Sequence, residues 1–500
     1  MDGARVLVAG AGPSGLTLAC GLAAQGIPVT VVDGAEGPSP TSRANILHAR
    51  GVEVLTRTGA IGDLVERSLE PIGITMHAGA KPLVTMQFSE DDKEHFQALF
   101  ISQALIEEEL RRRLGELGVA VEWGRRVLGA DQGGDGVTVA FEGGRSERFD
   151  WVVGCDGARS AVREAAGIAF PGVEVVEQFL LADVHADWDR ERNRSAGWFH
   201  DDGLFLTIPM RDKEDDLWRL MASVEKSDRR LEPEDIVAAF EKLVPERSGD
   251  HGLRIKSAVW TSVFRVQRRL ADDYRRGRIL LAGDAAHIHS PIGGQGMNTG
   301  IGDAENLAWK LALVASGRAG EELLDTYGAE RRPLATEVLK RTTDNTKLLV
   351  GDTAVRRVLR DLFFVPLLNL DAVQRRATRV NSQLWVTYRK GPLGGGGRGR
   401  GARPGDRIPD RDCTRADGAK TRLFDVLGPA WALLVPGAEG DDPQVPAVIR
   451  ACLGDNVEVL HTDTDDLLLV RPDGHLAWRG TDPAEAAARL RDAFALGGGR

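Results

Sequence analysis

Cysteine is scarce in this chain of 500 residues: Cys20, Cys155, Cys413 and Cys452 lie far apart, with no CxxC pair and no histidine at metal-ligand spacing. That excludes a disulfide framework and a zinc site, and it fits a reducing cytoplasm. Long apolar runs are missing too. No stretch approaches about twenty uninterrupted apolar residues, so no bilayer-spanning helix is expected and the protein should be soluble. The N-terminus carries no charged-then-apolar leader, because Arg5 is followed by Val6-Leu7-Val8-Ala9, which turns at once into glycines. Positive charge is not in excess: a net charge of -10 argues against a general polyanion-binding surface, and nucleic acid is not an expected partner. What remains is a chain with 42% hydrophobic residues, enough for two or three domains with ample cores.

Glycine is where the sequence becomes specific. Gly10-Ala11-Gly12-Pro13-Ser14-Gly15 follows the apolar run Val6 to Ala9 and opens a helical pattern from Leu16 to Gln25, closed by Gly26. Glycines at the first two positions permit a tight turn and close approach of a pyrophosphate, and the third lets helix and strand pack. A second strand, Pro28 to Val32, ends in Asp33, where a carboxylate can accept from a ribose hydroxyl. Strand, turn, helix, strand and acid in register make this a dinucleotide fingerprint. Arg43 and Arg50 then fall at a helix start, where either guanidinium suits a phosphate, a solvated surface arginine being the alternative for Arg50. The run Ile101 to Leu114 reads as an amphipathic helix capped by Ser102, with Gln103 near its N-terminus.

Two further segments end an apolar strand in Asp beside Gly. Trp151-Val-Val-Gly-Cys-Asp156-Gly157-Ala-Arg159-Ser leads into a helix, and Ile279 to Ala282 is followed by Gly283-Asp284-Ala-Ala-His287-Ile-His289. Parallel strands of this kind meet at the carboxyl edge of one sheet, where open α/β folds bind ligands. After the second, Pro291 to Gly296 supplies bare backbone before the helical pattern Asp303 to Ser316, a place suited to an anionic group at a helix N-terminus. His287 and His289 flank that segment and read as packed or capping histidines; no catalytic base is assigned.

Between residues 175 and 264 the pattern alternates apolar and polar, as in an antiparallel sheet with one face packed and one available. We take this as an inserted substrate-binding domain carrying the helix Pro233 to Leu243, with a pocket wall expected to include Trp198, Phe199, Phe205 and Trp260. The dinucleotide-binding domain is then discontinuous, residues 1–174 and 265–350. Leu323 to Leu349 reads as a long helix in which Pro333 implies a kink or boundary. A helical segment, 351–390, holds the apolar run Val355 to Arg379, and residues 391–401 form a flexible Gly-Arg linker. Residues 402–500, with strands Ala430 to Val435, Val457 to His461 and Asp466 to Val470, a turn at Pro472-Asp473-Gly474 and a helix Pro483 to Ala495, suggest a small thioredoxin-like α/β domain. Without CxxC it has no dithiol chemistry, and a structural or dimer-contacting role is expected.

Taken together, the 10–15 turn with Asp33, the Asp156-Gly157 segment and the Gly283-Asp284 segment with 291–296 resemble the single-component FAD-dependent aromatic hydroxylases of the para-hydroxybenzoate hydroxylase type. Within that family the sequence is most similar to the aromatic polyketide hydroxylases and rifampicin monooxygenase. The resemblance implies a Rossmann-like FAD-binding domain in which Gly10, Gly12, Pro13, Ser14, Gly15 and Asp33 hold the adenosine half of FAD, and Arg43 and Gln103 bind phosphate and ribityl groups. It implies further that Asp284 binds the ribityl chain and that Gly294, Gln295, Gly296, Met297 and Asn298 back the isoalloxazine. Asp156 and Arg159 would serve FAD and nicotinamide, and Pro291 and Gly294 would position flavin and substrate. Asp33 stands where the family commonly has Glu.

The implied activity is hydroxylation of a phenolic or polycyclic aromatic polyketide-type substrate with NADPH or NADH and O2, through a flavin C4a-hydroperoxide. Baeyer–Villiger or other flavin-dependent oxidation of a polycyclic ketone and a flavin-holding scaffold without turnover are the alternatives.

Overall fold

The computed structural model describes residues 4–41, 44–69, 73–86, 96–289, 294–350, 378, 380, 382–395, 401–437 and 447–494. Its first sheet runs Arg275–Arg276, Ile279–Leu281, Trp151–Gly154, Val6–Ala9, Val29–Val32, Val121–Glu122, all parallel except the first pair. The central strands are continuous runs of buried apolar residues, as expected when helices cover both faces of a parallel sheet. Helices Pro13–Ala24 and Gln295–Ala315 pack on each other so closely that a methyl on Gly21 would lie 2.7 Å from the Ala308 Cβ. Parallel pairing brings the ends of Val6–Ala9, Trp151–Gly154 and Ile279–Leu281, and so all three glycine segments, to one sheet edge. A three-stranded antiparallel sheet, Val127–Gly133, Gly136–Phe141 and Ser146–Phe149, precedes Trp151.

The second large sheet has eight strands in the order His287–Ile288, Arg254–Leu270, Gly172–Asp187, Leu217–Val224, Gly203–Pro209, Ser195–His200, Ile74–Ala78, Lys81–Met86. It draws on more chain than the alternating region alone: the hairpin 74–86, whose strands sequence reading passed over, extends it through a parallel pairing with Ser195–His200. Helix Pro233–Ser248 covers one face through Ile236, Phe240 and Val244. Glu232, the residue before Pro233, caps it: its carboxylate accepts from the Asp235 N–H and its own N–H donates to the Asp235 carboxylate, which fixes where the helix starts.

Helix Asp325–Val350 runs uninterrupted through Pro333, so the boundary expected there is not found. The apolar run 355–377 lies outside the described residues. The C-terminal sheet is ordered Lys420–Arg422, Asp412–Arg415, Val457–Thr462, Trp431–Pro436, Leu467–Val470, Leu476–Gly480, with helices Ala447–Leu453 and Pro483–Ala493. Part of the expected flexible linker is docked: the carbonyls of Leu393 and Gly394 accept from the Arg489 guanidinium. Among the described residues no helix is long and apolar enough to cross a membrane.

Candidate active site

The glycines of the first turn divide into two kinds. A methyl on Gly10, whose φ is +107°, would lie 2.3 Å from the Cys155 carbonyl oxygen, and one on Gly15 would lie 1.9 Å from the Gly10 carbonyl oxygen. Both are forced by backbone packing between the turn and the neighbouring strand end. A methyl on Gly12 meets nothing within 4 Å. The bare side of Gly12 therefore borders open space at the N-terminus of helix Pro13–Ala24, which has no side-chain cap. Asp33 braces this turn: its carboxylate accepts from the Ala11 N–H and the Ala35 N–H, each at 2.8 Å.

Ser14 is the point of convergence. Its hydroxyl would lie 2.5 Å from a methyl on Gly283, where φ is +61°, and 2.3 Å from one on Gly300. Segments near residues 14, 283 and 300 are thus in van der Waals contact. Asp284 sits in the short turn Gly283–Ala285 and is exposed, although Gly283, Ala285 and Ala286 around it are buried. Helix Gln295–Ala315 begins at Gly294, with φ +62°, and lacks a side-chain cap. A methyl on Gly296 would meet nothing within 4 Å, and Met297 is half-buried.

Three residues expected at the cofactor are engaged with protein. Asn298 accepts from the His48 N–H at 2.8 Å and donates to the Ile46 carbonyl at 3.0 Å, lashing strand Ile46–Leu47 to the helix. Gln295 accepts from Gln383 at 2.5 Å, and its amide nitrogen lies 3.2 Å from the His48 ring. Gln103 accepts from the Ala44 N–H and donates to Glu107, so it braces the same segment. Arg43 and Pro291 lie outside the described residues. Arg50 is neither a phosphate ligand nor a surface residue: it is buried against Glu53, Glu305 and the Asp473 carbonyl.

Asp156 stands at the other side of the sheet edge, where burial holds its carboxyl above the usual carboxylate range. One oxygen accepts from the Val162 N–H at 3.2 Å, while the other is buried without a partner. Arg159 beside it is exposed. His287 is fully buried with Nε2 2.5 Å from Asp303, whose second oxygen accepts from Arg331 at 2.7 Å. That pairing commits the ring to Asp303. His289 is buried, and burial first, then the neighbouring His287, pushes its pKa well down.

The expected pocket wall splits between the two faces of the second sheet. Trp198 and Phe205 belong to the cluster under helix Pro233–Ser248, so they are core and not wall. Phe199 and Trp260 are on the opposite face: Phe199 packs with Met76, Val84 and Leu204, and Trp260 pairs in register with Asp183. Sequence reading missed the residues that make this face polar. Arg219, directly opposite Asp183, donates to both its oxygens at 2.7 Å, lies with its guanidinium 5.8 Å from the Trp260 ring, and also donates to Asn45. Its signal was an arginine at the odd positions of Leu217-Trp218-Arg219-Leu220-Met221, facing away from Trp218 and Leu220. Asn45 leaves its amide nitrogen buried without a partner, one residue from the strand tied to the Gln295 helix. The sheet face and the glycine edge therefore meet at residues 45–48.

A cofactor with a pyrophosphate and a planar ring fits these observations. There are two uncapped helix N-termini beside glycines whose bare sides are open, and buried polar atoms without a partner on Asp156, at the end of strand Trp151–Gly154, and on Asn45, beside strand Ile46–Leu47.

Comparison with known proteins agrees. The FAD binding domain family matches residues 3–342, and the aromatic-ring hydroxylase C-terminal family matches residues 401–497. The 6-methylpretetramide 4-monooxygenase of Streptomyces rimosus is 35% identical over 96% of this chain and 91% of its own length. A rifampicin monooxygenase of Streptomyces venezuelae is 35% identical over 97% of each. Among solved structures, the anhydrotetracycline hydroxylase OxyS of Streptomyces rimosus superposes with a TM-score of 0.78 at 31% identity, covering 98% of this chain and 99% of that one.

Proposed function

The chain belongs to the FAD-binding aromatic-ring hydroxylases, and on that premise we propose that it hydroxylates a phenolic, polycyclic aromatic substrate of polyketide type in the groove between the glycine edge and the Trp260 face of the sheet. It is a FAD-dependent monooxygenase. The observation that supports the site is the contact of Ser14 with Gly283 and Gly300, which draws the Gly10–Gly15 turn, the Gly283 turn and the first turns of helix Gln295–Ala315 together.

In this reading the Gly10–Gly15 turn and the N-terminus of helix Pro13–Ala24 take the pyrophosphate, and Asp33, whose carboxylate keeps lone pairs beyond its two backbone bonds, takes the ribose. Asp284, exposed at the edge, takes the ribityl chain. Gly294, Gly296 and Met297 lie under the ring, while Gln295 and Asn298 keep that helix N-terminus rigid against residues 46–48. Arg43, Arg159 and Pro291 complete the proposed set. FAD, when bound, supplies acceptance of hydride from NADPH or NADH and activation of O2. The protein's own part is placement and exclusion of water. The positive end of helix Gln295–Ala315 favours negative charge above Gly294. Arg219, its charge matched by Asp183 and its fork also tied to Asn45, makes the sheet face beside Trp260 polar and fixes its shape. His287 is committed to Asp303 and no other described histidine is assigned as base, which suits a substrate whose phenol already activates the ring.

The C-terminal domain is read as thioredoxin-like, from the order Val457–Thr462, Trp431–Pro436, Leu467–Val470, Leu476–Gly480 followed by helix Pro483–Ala493. The experiment is incubation of the purified enzyme with NADPH and a panel of aromatic polyketides. A product heavier by one oxygen, with the new hydroxyl on an aromatic carbon, supports hydroxylation; an enzyme that oxidises no reduced nicotinamide with any member of the panel overturns it.

A further inference from the structure

The turn Arg471-Pro472-Asp473-Gly474-His475 joins strands Leu467–Val470 and Leu476–Gly480, a place where a hairpin ordinarily meets water. Here Arg471 and Asp473 are 1% exposed and His475 is fully buried. They are buried against the helix that begins at Gly294. The Asp473 carboxylate accepts from the Trp309 indole N–H at 3.1 Å and from Asn306 at 3.3 Å, and the Asp473 carbonyl accepts from Arg50 at 2.8 Å. Arg471 forks onto Glu330 at 2.9 and 3.0 Å, and Glu330 also accepts from Asn306 and Lys310. All these side chains are buried, so each charge is held by its partners and not by solvent.

A second route leaves the same turn and ends closer to the helix N-terminus. The His475 ring lies 4.3 Å from that of Tyr388, whose hydroxyl oxygen accepts from Arg331 at 2.9 Å. Arg331 donates in turn to the Thr299 carbonyl, in the first turns of the helix, at 2.8 Å and to Asp303 at 2.7 Å. Asp303 accepts from the Gly283 N–H at 3.2 Å and pairs with His287. Apart from the His475–Tyr388 ring contact, every link is a hydrogen bond or ion pair between buried groups.

We propose that the 471–475 turn is a positioning device for the flavin site, setting from the C-terminal domain both the axial seat of helix Gln295–Ala315 and the Gly283–Asp284 loop. The proposal rests on the reading of Gly294–Met297 and Asp284 as flavin contacts. Asp473 and Tyr388 are its positioning residues: neither touches the groove, and both act through Trp309, Asn306 and Arg331.

The test compares full-length wild type, Tyr388→Phe and Asp473→Asn by FAD titration, flavin circular dichroism well below the unfolding midpoint, and peroxide released per NADPH oxidised. Tyr388→Phe removes one hydroxyl and keeps the ring, so it decides the matter if Asp473→Asn fails to fold. We expect at least five-fold weaker FAD binding, an altered flavin dichroism and more peroxide. Unchanged affinity, dichroism and peroxide yield, with only a lower Tm, overturn the proposal. A wild type that binds no FAD instead overturns the flavin reading beneath it.

Discussion

Ser14 and Gly300 are in such close contact that a methyl on the Gly300 Cα would lie 2.3 Å from the Ser14 hydroxyl and 3.1 Å from the Gly283 Cα. Alanine is the better helix former by about 1 kcal/mol, yet Gly300→Ala should lower Tm, because the backbone of Gly283 gives no room. Gly12→Ala meets no protein atom within 4 Å. The apoprotein should keep its Tm while FAD binding weakens by at least ten-fold. Thermal melts and FAD titration of the two variants check this, and equal FAD affinity for Gly12→Ala and wild type would remove the pyrophosphate from that turn.

The split of the aromatic wall predicts two distinct phenotypes. Trp198 and Phe205 are buried under helix Pro233–Ser248, so Trp198→Ala or Phe205→Ala should cost about 3–5 kcal/mol of stability with little change in KM. Trp260 is half-buried on the other face. Trp260→Ala should raise KM for the aromatic substrate and the fraction of NADPH lost to peroxide, while urea midpoints stay near wild type.

Acid should loosen the domain interface in two stages. Burial pushes the His475 pKa down to about 4 from its ordinary 6.5. The unfolded chain therefore binds that proton first, and the stability present above pH 6.5 is lost as pH falls toward 4. Burial alone would raise Glu330, but Arg471 and Lys310 outweigh it and bring it to about 2, and Arg407 with Arg50 does the same for Glu53. Their contribution is present above pH 4.5 and lost below it. Urea midpoints measured at about pH 7.5, 5.5, 4.5 and 3.5 should fall throughout, and His475→Gln should flatten the upper stage while leaving the fall below about pH 4.5.

The glycine segments were legible because each is fixed by local chemistry: a strand, a turn that needs φ above zero at Gly10 and Gly283, and a helix start. Such signals lie within about twenty residues of each other. The pocket wall was not legible in the same way. Alternation separates Trp198 from Phe199 but does not say which face helix Pro233–Ser248 will cover, and that choice is made by pairing between distant strands. Gln295 and Asn298 sit inside the motif yet turn toward His48, because a helix N-terminus presents one face to a ligand and another to its neighbours. Arg50 and Asp473 carry no sequence sign of mutual contact across 423 residues of chain. The Pro472-Asp473-Gly474 turn was readable as a turn; its burial was not.

Removal of residues 402–500 tests how far the two parts of the chain depend on each other. The cut takes away Arg407, Arg471 and Asp473. It leaves Glu53 without its forked partner, Glu330 without its Arg471 fork, and the Trp309 N–H without its Asp473 acceptor. Breaking one buried pair by removing a partner costs about 3–5 kcal/mol, and a domain of this size has only about 5–15 kcal/mol in hand. Two such losses, with apolar surface around Trp309 and Trp431 newly wetted, exceed the smaller figure. The truncated chain should therefore be recovered mainly as aggregate. Soluble, monodisperse protein of residues 1–401 that binds FAD as wild type does would show that the first part folds alone, and that the buried charges re-pair without the C-terminal domain.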